Sequence, residues 1–144
     1  MDGNSTHVFL DTSYAIALVL PNDQHHEAAV RLASLLRQKN RKLITTRAVL
    51  LEFGNALSRR FRQAAVKLLA AAETDKAIEI VPLTDELYLR GLQLYAQRLD
   101  KTWSLVDCIS FVVMTDHGIT EAATADEHFE QAGFRALLRV PAQP

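Results

Sequence analysis

Residues 7–21 read HVFLDTSYAIALVLP. The short apolar run from His7 to Leu10 predicts a strand. Asp11 ends it, and the following residues predict a helix capped by Asp11 or Ser13 and stopped by Pro21. The strand-then-helix order recurs along the chain. KLITT (42–46) precedes RAVLLEFGNALSRRF (47–61), and QAAVKLLAAAETD (63–75) continues as helix. IEIVPL (78–83) precedes TDELYLRGLQLYAQRL (84–99), and EAATA (121–125) precedes DEHFEQAGF (126–134). ALLRV (136–140) predicts a fifth strand at the sheet edge. DQHHEAAVRLASLLRQKN (23–40) carries apolar residues at helical spacing. SLVDCISFVVMTDHG (104–118) is apolar nearly all round, which predicts a buried helix. It opens with an S-x-x-D capping box and stops at Gly118. Strands alternating with helices imply an α/β fold in three layers, a parallel sheet of about five strands covered on both faces.

Such sheets place their ligand sites at the carboxyl ends of the strands. Asp11 and Asp126 both fall just past a predicted strand. Two further acids interrupt apolar helical segments, Glu52 in AVLLEF and Asp107 in SLVDCISF. Each has an ordinary explanation when taken alone. Asp11 and Asp126 suit helix N-caps, Asp107 suits the capping box, and Glu52 suits a surface pair with Arg59. Gathered by folding, the four would repel one another unless a cation joined them, so an acidic pocket for a hard divalent metal is the first hypothesis.

The chain of 144 residues is 49% apolar, enough for one domain with a real core. We expect a single domain over 1–144 with its core over roughly 7–138. No apolar run approaches the ~20 residues of a membrane span, and the start MDGNSTHVFLD has no signal-peptide pattern, so a cytoplasmic protein with no membrane contact is expected. The single cysteine, Cys108, excludes an internal disulfide framework and any multi-cysteine zinc site. Net charge is −1, but its distribution is uneven. Residues 31–67 hold ten Lys/Arg against one acid, Glu52, whereas residues 73–130 hold twelve acids against four Lys/Arg. A basic segment around one acid suits a polyanion guided to a metal site, and equally suits the solvated faces of ordinary helices.

The segments FLDTSYAIAL (9–18), AVLLEFGNALSR (48–59), WSLVDCISFVVM (103–114) and TADEHFEQAGF (124–134) together resemble the bacterial PIN-domain ribonucleases, especially the VapC-like toxins of toxin–antitoxin pairs. The resemblance runs over roughly 7–138. It implies a PIN-like sandwich and an acidic quartet of Asp11, Glu52, Asp107 and Asp126 as catalytic and metal-binding residues. Thr12, Ser13, Ser104 and Thr124 match small hydroxyl positions beside the quartet. Some relatives carry a further acid near the third motif; here the nearest is Asp100, an outer group or a plain loop acid.

The implied activity is metal-dependent hydrolysis of RNA phosphodiesters. Only oxygen ligands are offered, so Mg²⁺ or Mn²⁺ fits better than zinc. Asp11 and Asp107 would anchor the ion, Glu52 and Asp126 would complete its shell, and one of the latter two could act as general base. Arg47, Arg59, Arg60 and Arg62 are candidate phosphate contacts, and Trp103 is either a packing residue or a base-stacking one. His128 is expected to face the sheet edge or solvent, and Cys108 to be a packed thiol. The resemblance also implies RNA as substrate, a cognate antitoxin, and a homodimer whose face could include Phe61, Leu68 and Leu69. A stand-alone RNA-processing nuclease, a non-catalytic binding module and an aspartyl phosphatase are the alternatives. The last lacks the second acid of Asp-x-Asp, since Ser13 stands there.

Overall fold

The computed structural model describes residues 7–139. The elements are β1 (His7–Leu10), α1 (Thr12–Val19), α2 (His26–Gln38), β2 (Lys42–Thr46), α3 (Arg47–Ala56), α4 (Arg62–Thr74), β3 (Ile78–Val81), α5 (Asp85–Gln97), α6 (Leu105–Asp116), β4 (Glu121–Ala123), α7 (Glu127–Gln131) and β5 (Arg135–Ala136). The five strands form one sheet in the order β3-β2-β1-β4-β5, and every pairing is parallel. The α/β sandwich read from the alternation is therefore present.

The order places β1 at the centre. From it the chain steps outward to β2 and β3, then returns across β1 to β4 and β5. With right-handed crossovers, α1 to α4 cover one face and α5 to α7 the other. The strand sequences match these positions. Central β1 is apolar on both sides, with Val8, Phe9 and Leu10 all buried. The edges are short or polar: β3 exposes Glu79, and β5 is only two residues long. On the α5–α7 face, Phe9, Phe129 and Phe111 follow one another with ring centroids 6.2 and 4.9 Å apart. Trp103 meets Phe111 edge-on at 5.0 Å, and its Nε1 donates to Gln131 Oε1. Trp103 is thus a buried packing residue, the first of its two expected roles.

Several boundaries differ from the sequence reading for local reasons. The helix predicted over 47–61 ends at Ala56, and α4 starts afresh at Arg62. Between them the Ser58 hydroxyl donates to the Gly54 carbonyl, competing with continued helical pairing. α2 starts at His26 because Asp23 accepts from the His25 amide and holds a turn there. The fifth strand is Arg135–Ala136 rather than ALLRV, whose Val140 lies outside the described residues. Gly133, at φ 96°, ends α7 and turns the chain straight into pairing with the short β4. His26 has its Nδ1 2.8 Å from the Ala17 carbonyl and ties α2 to α1.

On the α1–α4 face an apolar groove of about 550 Å³ opens between α1, α2, α4 and the sheet. Tyr14, Leu18, Leu36, Leu43 and Leu68 line it, with Arg37 and Lys67 among its polar residues. On the other face α5 and α6 approach closely at Gly91. A Cβ there would stand 2.5 Å from Cγ1 of buried Ile109. Gly91→Val should therefore lower stability by about 1–3 kcal/mol, although glycine is a poor helix former. Urea denaturation checks this; an unchanged midpoint would show that the two helices have slack.

Candidate active site

The carboxyl ends of β1 and β4 lie side by side. Leu10 pairs with Ala123, and the Asp11 amide donates to the Ala123 carbonyl at 3.2 Å. Asp11 follows β1 and caps α1. Its Oδ2 accepts from the Ser13 amide, from Ser13 Oγ at 3.0 Å and from Thr124 Oγ1 at 2.7 Å. The Thr12 amide also lies close enough to favour the charged form. Asp11 is 5% exposed, and this burial, reinforced by the charge of Asp107, pushes its pKa from 3.8 up to about 6 despite those hydrogen bonds.

Thr124, fully buried just past β4, is the hinge of the arrangement. Besides donating to Asp11, its Oγ1 accepts the Asp126 amide at 3.0 Å and lies 3.0 Å from Ser13 Oγ. Asp126 caps α7, with Oδ1 accepting the His128 amide at 2.9 Å. Asp107 sits in the capping box of α6. Its amide donates to Ser104 Oγ, and its Oδ2 accepts the Ser104 amide at 3.1 Å. Glu52 comes from the middle of α3, and its Oε1 accepts from Thr12 Oγ1 at 2.5 Å. Among the described residues, no ion pair joins Glu52 to Arg59.

His128 was not expected here. Its Nδ1 lies 2.9 Å from Asp107 Oδ2 and 3.4 Å from Asp126 Oδ1, and its Nε2 lies 3.2 Å from Thr102 Oγ1. The signal in the sequence was its position two residues after Asp126, close enough to fold back onto a cap. Helical periodicity says nothing about a helix of five residues.

The four predicted acids are thus joined by one continuous set of contacts. Glu52 is tied to Thr12, next to Asp11; Asp11 is tied to Thr124, two residues before Asp126; His128 ties Asp126 to Asp107. Ligand atoms of Asp107, Asp126 and His128 lie within 4.8 Å of one another. Among the described residues, the side-chain and cap hydrogen bonds of each acid fall on one oxygen, Oδ2 of Asp11 and Asp107, Oδ1 of Asp126 and Oε1 of Glu52. The capping bonds of Asp11, Asp107 and Asp126 thus each occupy one carboxylate oxygen. Asp107 and Asp126 within that three-residue group, with buried Asp11 close enough to feel the Asp107 charge, make an oxygen-rich surrounding that fits a hard divalent cation.

The remaining candidates separate cleanly. Asp100 is exposed and engages Arg98 with both oxygens, at 3.0 and 2.9 Å, which lowers its pKa to about 2. It is a loop acid committed to that pair. The Cys108 thiol is buried and pushed up to about 11, which makes it inert. Arg47 is held by Glu73. Arg59 and Arg60 are exposed with no acid partner among the described residues, and Arg60 lies over the half-exposed Phe61 ring at 5.6 Å. Arg62 donates to the Ser58 carbonyl.

Comparison with known proteins agrees with this architecture. The chain is 31% identical over 127 residues to the 23S rRNA-specific endonuclease VapC20 of Mycobacterium tuberculosis, covering 88% of this chain and 95% of the relative. The crystal structure of that VapC20, described as a Sarcin-Ricin loop cleaving toxin, superposes with a TM-score of 0.80 over the same shares of the two chains. FitAcB from Neisseria gonorrhoeae shares the fold at a TM-score of 0.61, with 19% identity over 90% of this chain and 94% of that one. The PIN domain profile matches residues 8–135, nearly the whole described structure, and the chain belongs to the PIN-domain family.

Proposed function

We propose that this protein is a divalent-metal-dependent endoribonuclease and the toxin of a toxin–antitoxin pair. The observation that carries the proposal is the chain of contacts that links Asp11 and Asp126, past the ends of β1 and β4, to Glu52 of α3 and Asp107 of α6. A binding module that used these acids only as caps would not need Asp11 buried at such a cost. The 31% identity to a 23S rRNA endonuclease over most of both chains makes ribosomal RNA the first substrate to test.

Asp11 and Asp107, both buried, would hold the ion through Oδ1, and Glu52 and Asp126, both half-buried, would complete its surroundings. Mg²⁺ or Mn²⁺ suits an oxygen-only set. When bound, such an ion polarises a phosphate oxygen and makes a water acidic enough to attack. A bound cation would favour the ionised form of Asp11 and so offset its burial. Asp126 is more open to solvent than Asp11 or Asp107, which favours it as the group that receives the proton of the attacking water. Thr12, Ser13, Ser104 and Thr124 orient the carboxylates so that the free oxygens stay available.

RNA would reach the site over the turn between α3 and α4, where Arg59 and Arg60 have no acid partners among the described residues and Phe61 offers a ring for a base. The apolar groove beside α1, α2 and α4 suits an apolar antitoxin segment. A homodimer belongs to the same proposal. Tyr88, Leu89, Leu92 and Tyr95 of α5, with Leu99 just beyond it, leave an apolar stripe exposed, as does Phe61, whereas Leu68 and Leu69 pack against the core.

Cleavage of a ribosomal and mixed RNA pool, with Mg²⁺, Mn²⁺ or chelator, tests the reading. Wild type should cut only with metal. Asp107→Asn should lose about a hundredfold or more, the scale of removing a group that supports transition-state charge, with an unchanged circular dichroism spectrum. Equal cutting by both proteins would remove Asp107 from the mechanism. Arg59→Ala with Arg60→Ala should weaken RNA binding across sequences and reduce the slope of log affinity against log salt by about 1–2. An unchanged slope would place the RNA elsewhere.

Asp11 also makes a stability prediction. Its folded pKa, about 6, lies above the unfolded 3.8, so the folded form binds the proton more tightly. Stability is highest below the unfolded value, falls as pH rises between the two, and carries the full cost above pH 6. The shift corresponds to about 3 kcal/mol. Asp11→Asn should therefore raise Tm in chelator at pH 8, with the gain vanishing towards pH 4. Mn²⁺ should raise the Tm of wild type but not of the variant. A gain independent of pH would mean that Asp11 carries no such cost.

A further inference from the structure

We infer that His128 is a positioning residue that holds Asp107 and Asp126 in one geometry for the cation, and is not itself a ligand. The inference rests on the metal-site reading above. His128 grips both aspartates at once. Its backbone amide donates to Asp126 Oδ1 at 2.9 Å, and its ring Nδ1 lies 2.9 Å from Asp107 Oδ2. An ionised carboxylate has no hydrogen to give, so the hydrogen of the second bond sits on Nδ1. A nitrogen that carries a hydrogen has no lone pair for a metal. The other nitrogen, Nε2, is 3.2 Å from Thr102 Oγ1, so it too is engaged. This assignment holds whether the ring is neutral or protonated, because Nδ1 donates in both forms.

The consequence lies in the relation between two helices. The capping box fixes Asp107 only within the frame of α6, through the Ser104 amide. Asp126 belongs to α7, and Thr124 fixes it only relative to β4 and Asp11. Trp103 Nε1, donating to Gln131 Oε1, links the start of α6 to α7 away from the acids, and the His128 ring is the side-chain bond that makes the link at Asp107 itself. It also adds a second donor to Asp107 Oδ2, which leaves Oδ1 as the oxygen presented to a cation. Thr102, two residues before Ser104, sets the rotation of the ring from behind. Hydrogen bonds of this kind, made to ligands rather than to the ion, orient the ligands and tune affinity.

Substitutions separate the donor from the ligand. In His128→Asn the side-chain amide nitrogen takes roughly the place of Nδ1 and keeps the donor. In His128→Leu bulk is kept and the donor is lost. Mn²⁺ affinity is measured by titration calorimetry on proteins shown to be folded by circular dichroism. The leucine variant should bind about 10–100-fold more weakly and the asparagine variant within about threefold of wild type, the range expected for a ligand's hydrogen-bond partner. Asparagine as weak as leucine, or leucine as strong as wild type, overturns the inference. Should leucine prevent folding, His128→Gln replaces it, since its amide reaches the Nε2 position and not Nδ1. Pulsed electron paramagnetic resonance of Mn²⁺-loaded wild type should show no directly bound nitrogen; such a coupling would make His128 a ligand and overturn the inference. If wild type binds no Mn²⁺ at all, the metal-site reading itself fails and takes this inference with it.

Discussion

Asp11 is held 5% exposed at the end of the central strand, where an ionised carboxylate has lost most of its water. Three donor contacts on one oxygen soften the loss without cancelling it, and its pKa stays near 6. The rest of the local structure follows from this tension. Ser13 and Thr124 are hydroxyl residues because larger or apolar side chains there would leave the charge bare. The charge of Asp107 adds to this strain, which a bound cation would relieve. Stability is given up at the place where a bound ion would return it, a common cost of working sites.

The structure economises by giving its caps a second role. Helices need donors and acceptors at their ends regardless of function. Here three of those end groups, Asp11, Asp107 and Asp126, are carboxylates that satisfy a helix with one oxygen and keep the other in hand. Because a cap is locked to its helix, the position of each free oxygen inherits the rigidity of the sheet and helices behind it. Preorganisation is thus obtained from ordinary secondary-structure chemistry, with few dedicated residues.

Much of this was legible in the sequence. The strand–helix order, the central apolar β1, the capping box of α6 and the positions of Asp11 and Asp126 past strand ends all follow from local rules that local sequence obeys. Glu52 was harder, since its partner Thr12 lies forty residues away and only folding brings them together. Arg59 looked like a natural partner at helical spacing, but α3 stops before reaching it. His128 was misjudged because a helix of five residues has no stable face to reason from. Trp103 and Asp100 were open for the same reason: the segment between α5 and α6 has no period, and only tertiary contacts with Phe111 and Arg98 decide its side chains. The end of the fifth strand depended on Gly133 turning the chain, which composition alone does not date to a residue.

The connection from β4 to α7 contains only Thr124, Ala125 and Asp126. Thr124 is bonded on both sides of it, and its carbonyl also accepts the Leu138 amide. One inserted residue would carry Asp126 away from Asp107 and break the pairing of β5. The turns at 20–25 and 57–61 hold none of the four acids and none of the residues bonded to them. A change of chain length is therefore absorbed most readily at those two turns, and least readily in the three residues that join β4 to α7.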